Sequence, residues 1–147
     1  MNKKTIWSII TIAYVLCIWG LSSQDAVESD RESLTIVMLL RQLTAVFGSS
    51  VNGIISNHIV RKVAHFTEYF ILAGLAVHLS YLYVCRWKNI LGYMLFGLLL
   101  VPVIDEFIQL FSAGRAGMVQ DVLLDFSGAV TGLVVVKILH HRKEVKL

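Results

Sequence analysis

The residues that could do chemistry in this chain fall into short clusters far apart along the sequence. Ser22, Ser23 and Gln24 form the first, and Arg61, Lys62, His65 and Glu68 the second. Asp105, Glu106 and Gln109 form the third, Asp121 and Asp125 the fourth, with Arg115 between these last two. On a helix, side chains three or four positions apart are neighbours. That spacing puts Arg61, His65 and Glu68 on one face, pairs Asp105 with Gln109, and pairs Asp121 with Asp125. The set permits several chemistries. Arg61, Lys62 and Arg115 suit a phosphate or carboxylate, which a guanidinium fork matches. His65-x-x-Glu68 supplies two ligands from one face. With Asp105, Glu106, Asp121 and Asp125 the donor set becomes mostly oxygen, which fits Mg²⁺ or Mn²⁺ better than a thiolate-rich zinc site. Ser22, Ser23 or Ser112 beside His65 would be a nucleophile only in triad geometry, and Ser22-Ser23-Gln24 reads more simply as a helix end or hydrogen-bonding lid. The plain alternative is an ion-pair network that holds helix ends together, and it is compatible with a binding role.

The elements that must carry these residues are apolar. The chain of 147 residues is 56% hydrophobic and only 16% charged, against about 25% charged in an ordinary soluble domain. Its mean hydropathy is +0.72. This composition argues against disorder, and two cysteines cannot make a disulfide scaffold. Four segments, at about 6–21, 63–85, 90–111 and 119–139, approach the roughly 20 residues needed to cross a bilayer. We therefore expect an all-α polytopic membrane bundle of about four transmembrane helices, forming a single domain over 1–147. Between the first two spans, Ser29-Asp30-Arg31-Glu32 fits a capping box. Ile36, Leu39, Leu40, Leu43 and Phe47 follow at helical spacing, predicting a short interfacial or re-entrant helix. Gly48-Ser49-Ser50 should break it, and a second short helix is expected from about Asn52.

Charge placement predicts orientation. With the N-terminus cytoplasmic, Lys3, Lys4, Arg86, Lys88, Lys137, Arg142, Lys143 and Lys146 all lie inside, and so do both termini. The cations flank apolar runs and form no stripe, so no nucleic-acid partner is expected. Lys3-Lys4 before an apolar run also resembles a signal peptide, but Gly20-Leu21-Ser22 is a poor cleavage site, and the first span is expected to remain. In this topology every polar cluster reaches the outer layer. Gly128 and Gly132 continue the angular position of Asp121 and Asp125, and a small-xxx-small seam admits a neighbouring helix closely. The two carboxylates should thus face the bundle, Asp125 about 6 Å deeper than Asp121. One Asp at a lipid-exposed helix centre costs about 2.5–3.5 kcal/mol, so pairing, a metal or a wet cavity must offset the group. Pro102 should kink the third span. Trp7, Trp19 and Trp87 read as interfacial anchors, and His78 as an interhelical hydrogen-bonder.

The order Ser22-Ser23-Gln24, Lys62-x-x-His65-Phe66-x-Glu68-Tyr69-Phe70-x-Leu72, Asp105-Glu106-x-x-Gln109-x-Phe111-x-x-Gly114-Arg115, then Asp121-Val122-x-x-Asp125-x-x-Gly128-Ala129-x-x-Gly132 resembles the VanZ-like family of bacterial membrane proteins, over roughly residues 6 to 139. The family often has Asn where this chain has Asp125, which adds a charge here. The resemblance implies a multi-pass protein of the bacterial cytoplasmic membrane, linked to the cell envelope and to susceptibility to the glycopeptide teicoplanin. It supplies no reaction and no catalytic residue. Three functions follow as expectations. One is a non-enzymatic envelope protein whose outer polar cavity, built from Ser23, Gln24, Arg61, Lys62, His65, Glu68, Asp105, Glu106, Gln109, Arg115, Asp121 and Asp125, binds a lipid-linked cell-wall precursor or a glycopeptide-related ligand. The second is a metal-assisted hydrolase or transferase of phospholipid or isoprenoid phosphates, using Mg²⁺ or Mn²⁺. The third is a small proton-coupled exporter. Membrane lipids are partners in all three.

Overall fold

A computed structural model describes residues 1–44, 56–83 and 85–144, and among them the regular structure is entirely helical. The helices are α1 (Lys3–Ser22), α2 (Ala26–Thr44), α3 (Asn57–Leu82), α4 (Trp87–Gln109) and α5 (Val119–Glu144). Four of them, α1, α3, α4 and α5, are long and apolar enough to cross a membrane.

Local chemistry explains the boundaries. Asn2 caps α1, its Oδ1 accepting the Lys4 N–H at 3.3 Å. Ser56 caps α3, its Oγ accepting the Ile59 N–H at 3.3 Å. The cap lets α3 begin at Asn57, through a polar first turn, rather than at Val63. α2 also begins earlier than Ser29. The Asp25 carboxylate accepts the Glu28 N–H at 2.8 Å, and the Asp25 carbonyl accepts the Ser29 N–H at 3.1 Å. An ionised side chain is the stronger cap, so Asp25-x-x-Glu28 starts the helix and Ser29 is absorbed into its first turn. The Leu40 and Leu43 side chains, Phe47, the Gly48-Ser49-Ser50 break and the helix expected from Asn52 lie outside the described residues. α4 stays one helix through the buried Pro102.

α3 and α5 make the closest pair. A Cβ added to Gly132 would lie 2.5 Å from the Phe70 carbonyl oxygen, and one added to Gly128 would collide with the Phe66 carbonyl. The glycine seam is therefore what lets the backbones of α3 and α5 touch. Around it Tyr69, Leu72, Val77, Leu98 and Leu133 close the core, with Ile18 of α1. The aromatic residues of α1 bind it to its neighbours. Tyr14 donates its hydroxyl to the Glu68 carbonyl at 3.2 Å, and Trp19 donates its indole N–H to the Val101 carbonyl at 3.2 Å. The Trp7 and His78 rings meet at a 60° tilt, 4.4 Å between centroids. Trp19 is thus a helix-to-helix link and not a free interfacial anchor, because an indole N–H in an apolar setting seeks an acceptor. His78 meets α1 through its ring.

Consecutive spans run antiparallel, so α3 and α5 lie parallel, Gly128 against Phe66 and Gly132 against Phe70. Lys4 lies 5.3 Å over the Tyr83 ring and Lys137 5.0 Å over the Trp87 ring, which marks one end of the bundle. The opposite end gathers Ser22, Asn57, Gln109 and Val119, the boundaries of α1, α3, α4 and α5.

Candidate functional site

At this second end the segment 110–118 turns back over α4. Gly114 makes the turn with φ +73°, a left-handed conformation that suits glycine. Glu106 holds the return, its Oε2 accepting the Met118 N–H at 2.8 Å. Gln109 donates to Glu106 Oε1 at 3.1 Å and to Asp105 Oδ2 at 3.4 Å. The Ala113 carbonyl accepts the Ala26 N–H at 3.0 Å, which ties the segment to α2.

Arg115 then reaches across to α1. Its Nη1 donates to the Ser22 carbonyl at 3.2 Å and to the Gln24 carbonyl at 3.5 Å, while Ser112 Oγ donates to the Ser22 carbonyl at 3.2 Å. The last carbonyls of a helix lack intrahelical partners and carry partial negative charge, so a cation at the end of α1 satisfies both needs. α2 is pinned to α3 by Asp30, whose Oδ1 accepts from Asn57 at 3.0 Å and pairs with Arg61 at 3.2 Å. Lys62 pairs with Asp121 at 3.4 Å and joins α3 to α5.

Two cavities among the described residues lie at this end. The larger, about 230 Å³, lies between α3, segment 110–118 and α5, and takes in Lys62, Glu106, Gln109, Asp121 and Asp125. The smaller, about 150 Å³, lies between the end of α1, α2 and α3, and takes in Ser22, Gln24 and Glu68. Arg61, His65 and Arg115 wall both. Burial holds the Arg115 pKa below its ordinary value, and the charge of Arg61 pushes it the same way, while Asp105, Glu106 and Asp30 oppose both effects. A guanidinium starts from so high a value that it stays charged.

Beneath the shared wall sits a buried cluster. Asp105 and Asp125 are each 0% exposed. His65 Nδ1 is 3.7 Å from Asp125 Oδ2 and 4.0 Å from Glu68 Oε2. Among the described residues, His65 Nδ1, Asp105 Oδ1, both Asp125 oxygens and the Tyr69 hydroxyl are buried without a hydrogen-bond partner.

Of the residues singled out from sequence, Gln24, Arg61, Lys62, His65, Glu68, Asp105, Glu106, Gln109, Arg115, Asp121 and Asp125 come together at this end. Ser23 stands apart. It is exposed, its hydroxyl donates to the Gly20 carbonyl at 2.6 Å, and it lines neither cavity. Its neighbour Ser22 is the buried one, at 3% exposure. Asp30, Asn57 and Tyr69 are not among the site residues expected from sequence, although Asp30 stands in the capping box and Tyr69 in the family motif. Tyr69 follows His65 by four residues, a helical signal within reach. Nothing in the spacing of Asp30 announces a partner on α3.

The arrangement offers two guanidiniums near each other at the edge of two cavities, above carboxylates and one imidazole. That can hold an anion at the wall, a cation in the cluster, or both. The family model described as VanZ/LLP1 matches residues 7–140, which include all the site residues. Among curated proteins and solved structures none matches the chain.

Proposed function

The chain belongs to the VanZ/LLP1 family, and from that premise we propose that its two-chambered site binds the phosphate-bearing headgroup of a lipid-linked cell-envelope molecule, entered from the outer leaflet. The observation that carries this reading is the pair Arg61 and Arg115. They wall both cavities, and the charge of Arg61 disfavours that of Arg115, an arrangement that an anion between them relieves. Each keeps guanidinium donors beyond the Nη1 atoms engaged by Asp30, Ser22 and Gln24, and a fork of donors matches phosphate oxygens. In this reading the lipid chain lies in the bilayer and the headgroup at the helix ends. In a cell envelope such binding would alter how a glycopeptide reaches its target, which connects the site to teicoplanin susceptibility.

The test is a competition in native mass spectrometry between an isoprenoid phosphate and the corresponding isoprenoid alcohol, offered to the purified chain. The phosphate should be retained at least about tenfold better, the fold-change of one charged hydrogen bond of about 1.5–3 kcal/mol. Equal retention would overturn the reading. A second reading, a hydrolase or transferase of phospholipid or isoprenoid phosphates, is favoured by the histidine–carboxylate cluster directly beneath the same wall.

A further inference from the structure

We propose that His65, Asp105 and Asp125 form a single binding site for a divalent cation of the Mg²⁺ or Mn²⁺ class. The three residues come from α3, α4 and α5, and one ligand atom from each lies within 4.8 Å of the others. Around an octahedral ion at about 2.1 Å, opposed ligands stand about 4.2 Å apart and adjacent ones about 3.0 Å, so the three atoms must draw together by about 1–2 Å to share one ion.

The structure also divides the acidic residues by role. Glu106 is committed to the Met118 N–H and to Gln109. Asp121 is paired with Lys62. Glu68 is partly exposed and packs no closer than 4.0 Å to His65. Asp105 and Asp125 are the fully buried pair, and among the described residues neither has a Lys or Arg within ion-pair distance. Arg61, Lys62 and Arg115, the cations nearest in the fold, are turned to Asp30, Asp121 and the α1 carbonyls. Both Asp125 oxygens, Asp105 Oδ1 and His65 Nδ1 lack partners. Buried carboxylates are found paired, hydrogen-bonded or on a metal. Gln109 reaches one Asp105 oxygen, and the contact of Asp125 with His65, at 3.7 Å, is longer than a hydrogen bond, which leaves the third. Cys17 and Cys85 are exposed elsewhere, so the donors are one imidazole and carboxylate oxygens, a set that favours a hard cation over a thiophilic one.

The site stands independently of the headgroup reading, because its test needs no lipid. Mn²⁺ is titrated into the purified full chain, and loss of the free-ion electron paramagnetic resonance signal is read together with the melting temperature. One Mn²⁺ per chain should bind, Mg²⁺ should displace it, and the melting temperature should rise with ion concentration. Asp105→Asn and Asp125→Asn should each weaken binding at least tenfold, and Asp121→Asn by less than threefold. Should one Asn variant fail to fold, His65→Gln read in the same titration takes its place. Absence of binding at millimolar Mn²⁺, equal effects of all the Asp variants, or displacement by Zn²⁺ but not by Mg²⁺ would each overturn the assignment.

Discussion

Gly128→Val is expected to prevent the bundle from closing, and Gly132→Val to weaken it severely. The atoms that a new side chain would meet at Gly128 belong to the Phe66 backbone, and at Gly132 to the Phe70 backbone and Ala73 Cβ. A flexible side chain can swing away from an added methyl, but a helix backbone moves only if the whole helix moves. Overpacking a well-filled core costs about 1–3 kcal/mol where side chains can adjust, and the double variant should exceed that. Separating α3 from α5 would also part His65 from Asp125 and Lys62 from Asp121, so the site would be lost with the seam. Gly92→Ala and Gly97→Ala are the matched controls, since nothing lies within 4 Å of a Cβ at either position. Thermal melting in detergent checks the set. A Gly128→Val protein that melts like the Gly97→Ala control would contradict the packing account.

Arg115→Gln is expected to remove the preference for phosphate over alcohol headgroups, a fall of at least about tenfold, and to loosen the end of α1. The binding loss follows from the guanidinium's place between the two cavities. The structural loss follows from its bonds to the Ser22 and Gln24 carbonyls, each hydrogen bond to a charged group being worth about 1.5–3 kcal/mol. Arg115→Lys should keep part of the charge-driven preference and lose the geometric part, because an ammonium is a point charge without the fork. Arg61→Gln separates binding from folding. Its ion pair with Asp30 is partly exposed, at 32% and 47%, and such pairs contribute about 0–1 kcal/mol. Its phosphate preference should therefore fall with little change in melting temperature. The competition between isoprenoid phosphate and alcohol, repeated on each variant, reads these outcomes.

Much of this was legible in the residues because a bilayer imposes strict patterns. Apolar length announces four helices, and antiparallel connection then brings Ser22, Arg61, Gln109 and Asp121 to one end without any knowledge of side-chain contacts. The steps of three from Asp125 to Gly128 and of four on to Gly132 announced an inward-facing seam, and the backbone contacts at Phe66 and Phe70 are its physical content. Local competition was harder to read. Ser29 and Asp25 both offer caps for α2, and the choice depends on which oxygen meets an N–H in three dimensions. Ser22 and Ser23 are chemically the same, and only the rotation of the last turn of α1 buries one and exposes the other. Trp19 looked like an anchor because its acceptor, the Val101 carbonyl, is a backbone atom that no side-chain pattern reveals. Asp30 depends on a long-range pairing with Asn57 and Arg61, and long-range pairings leave no periodic trace.

The claim on which the account turns is that one polar chamber, assembled from the ends of α1, α3, α4 and α5, opens on the non-cytoplasmic side of the membrane. Single-cysteine labelling in intact cells tests it. With Cys17 replaced by Ser, one variant keeps Cys85 at the termini end, and a second carries Ser23→Cys at the chamber end with Cys85→Ser. Both positions are exposed. A membrane-impermeant maleimide should label Ser23→Cys in intact cells and reach Cys85 only after permeabilisation. Labelling of both from the same side, or of Cys85 alone from outside, would contradict the account.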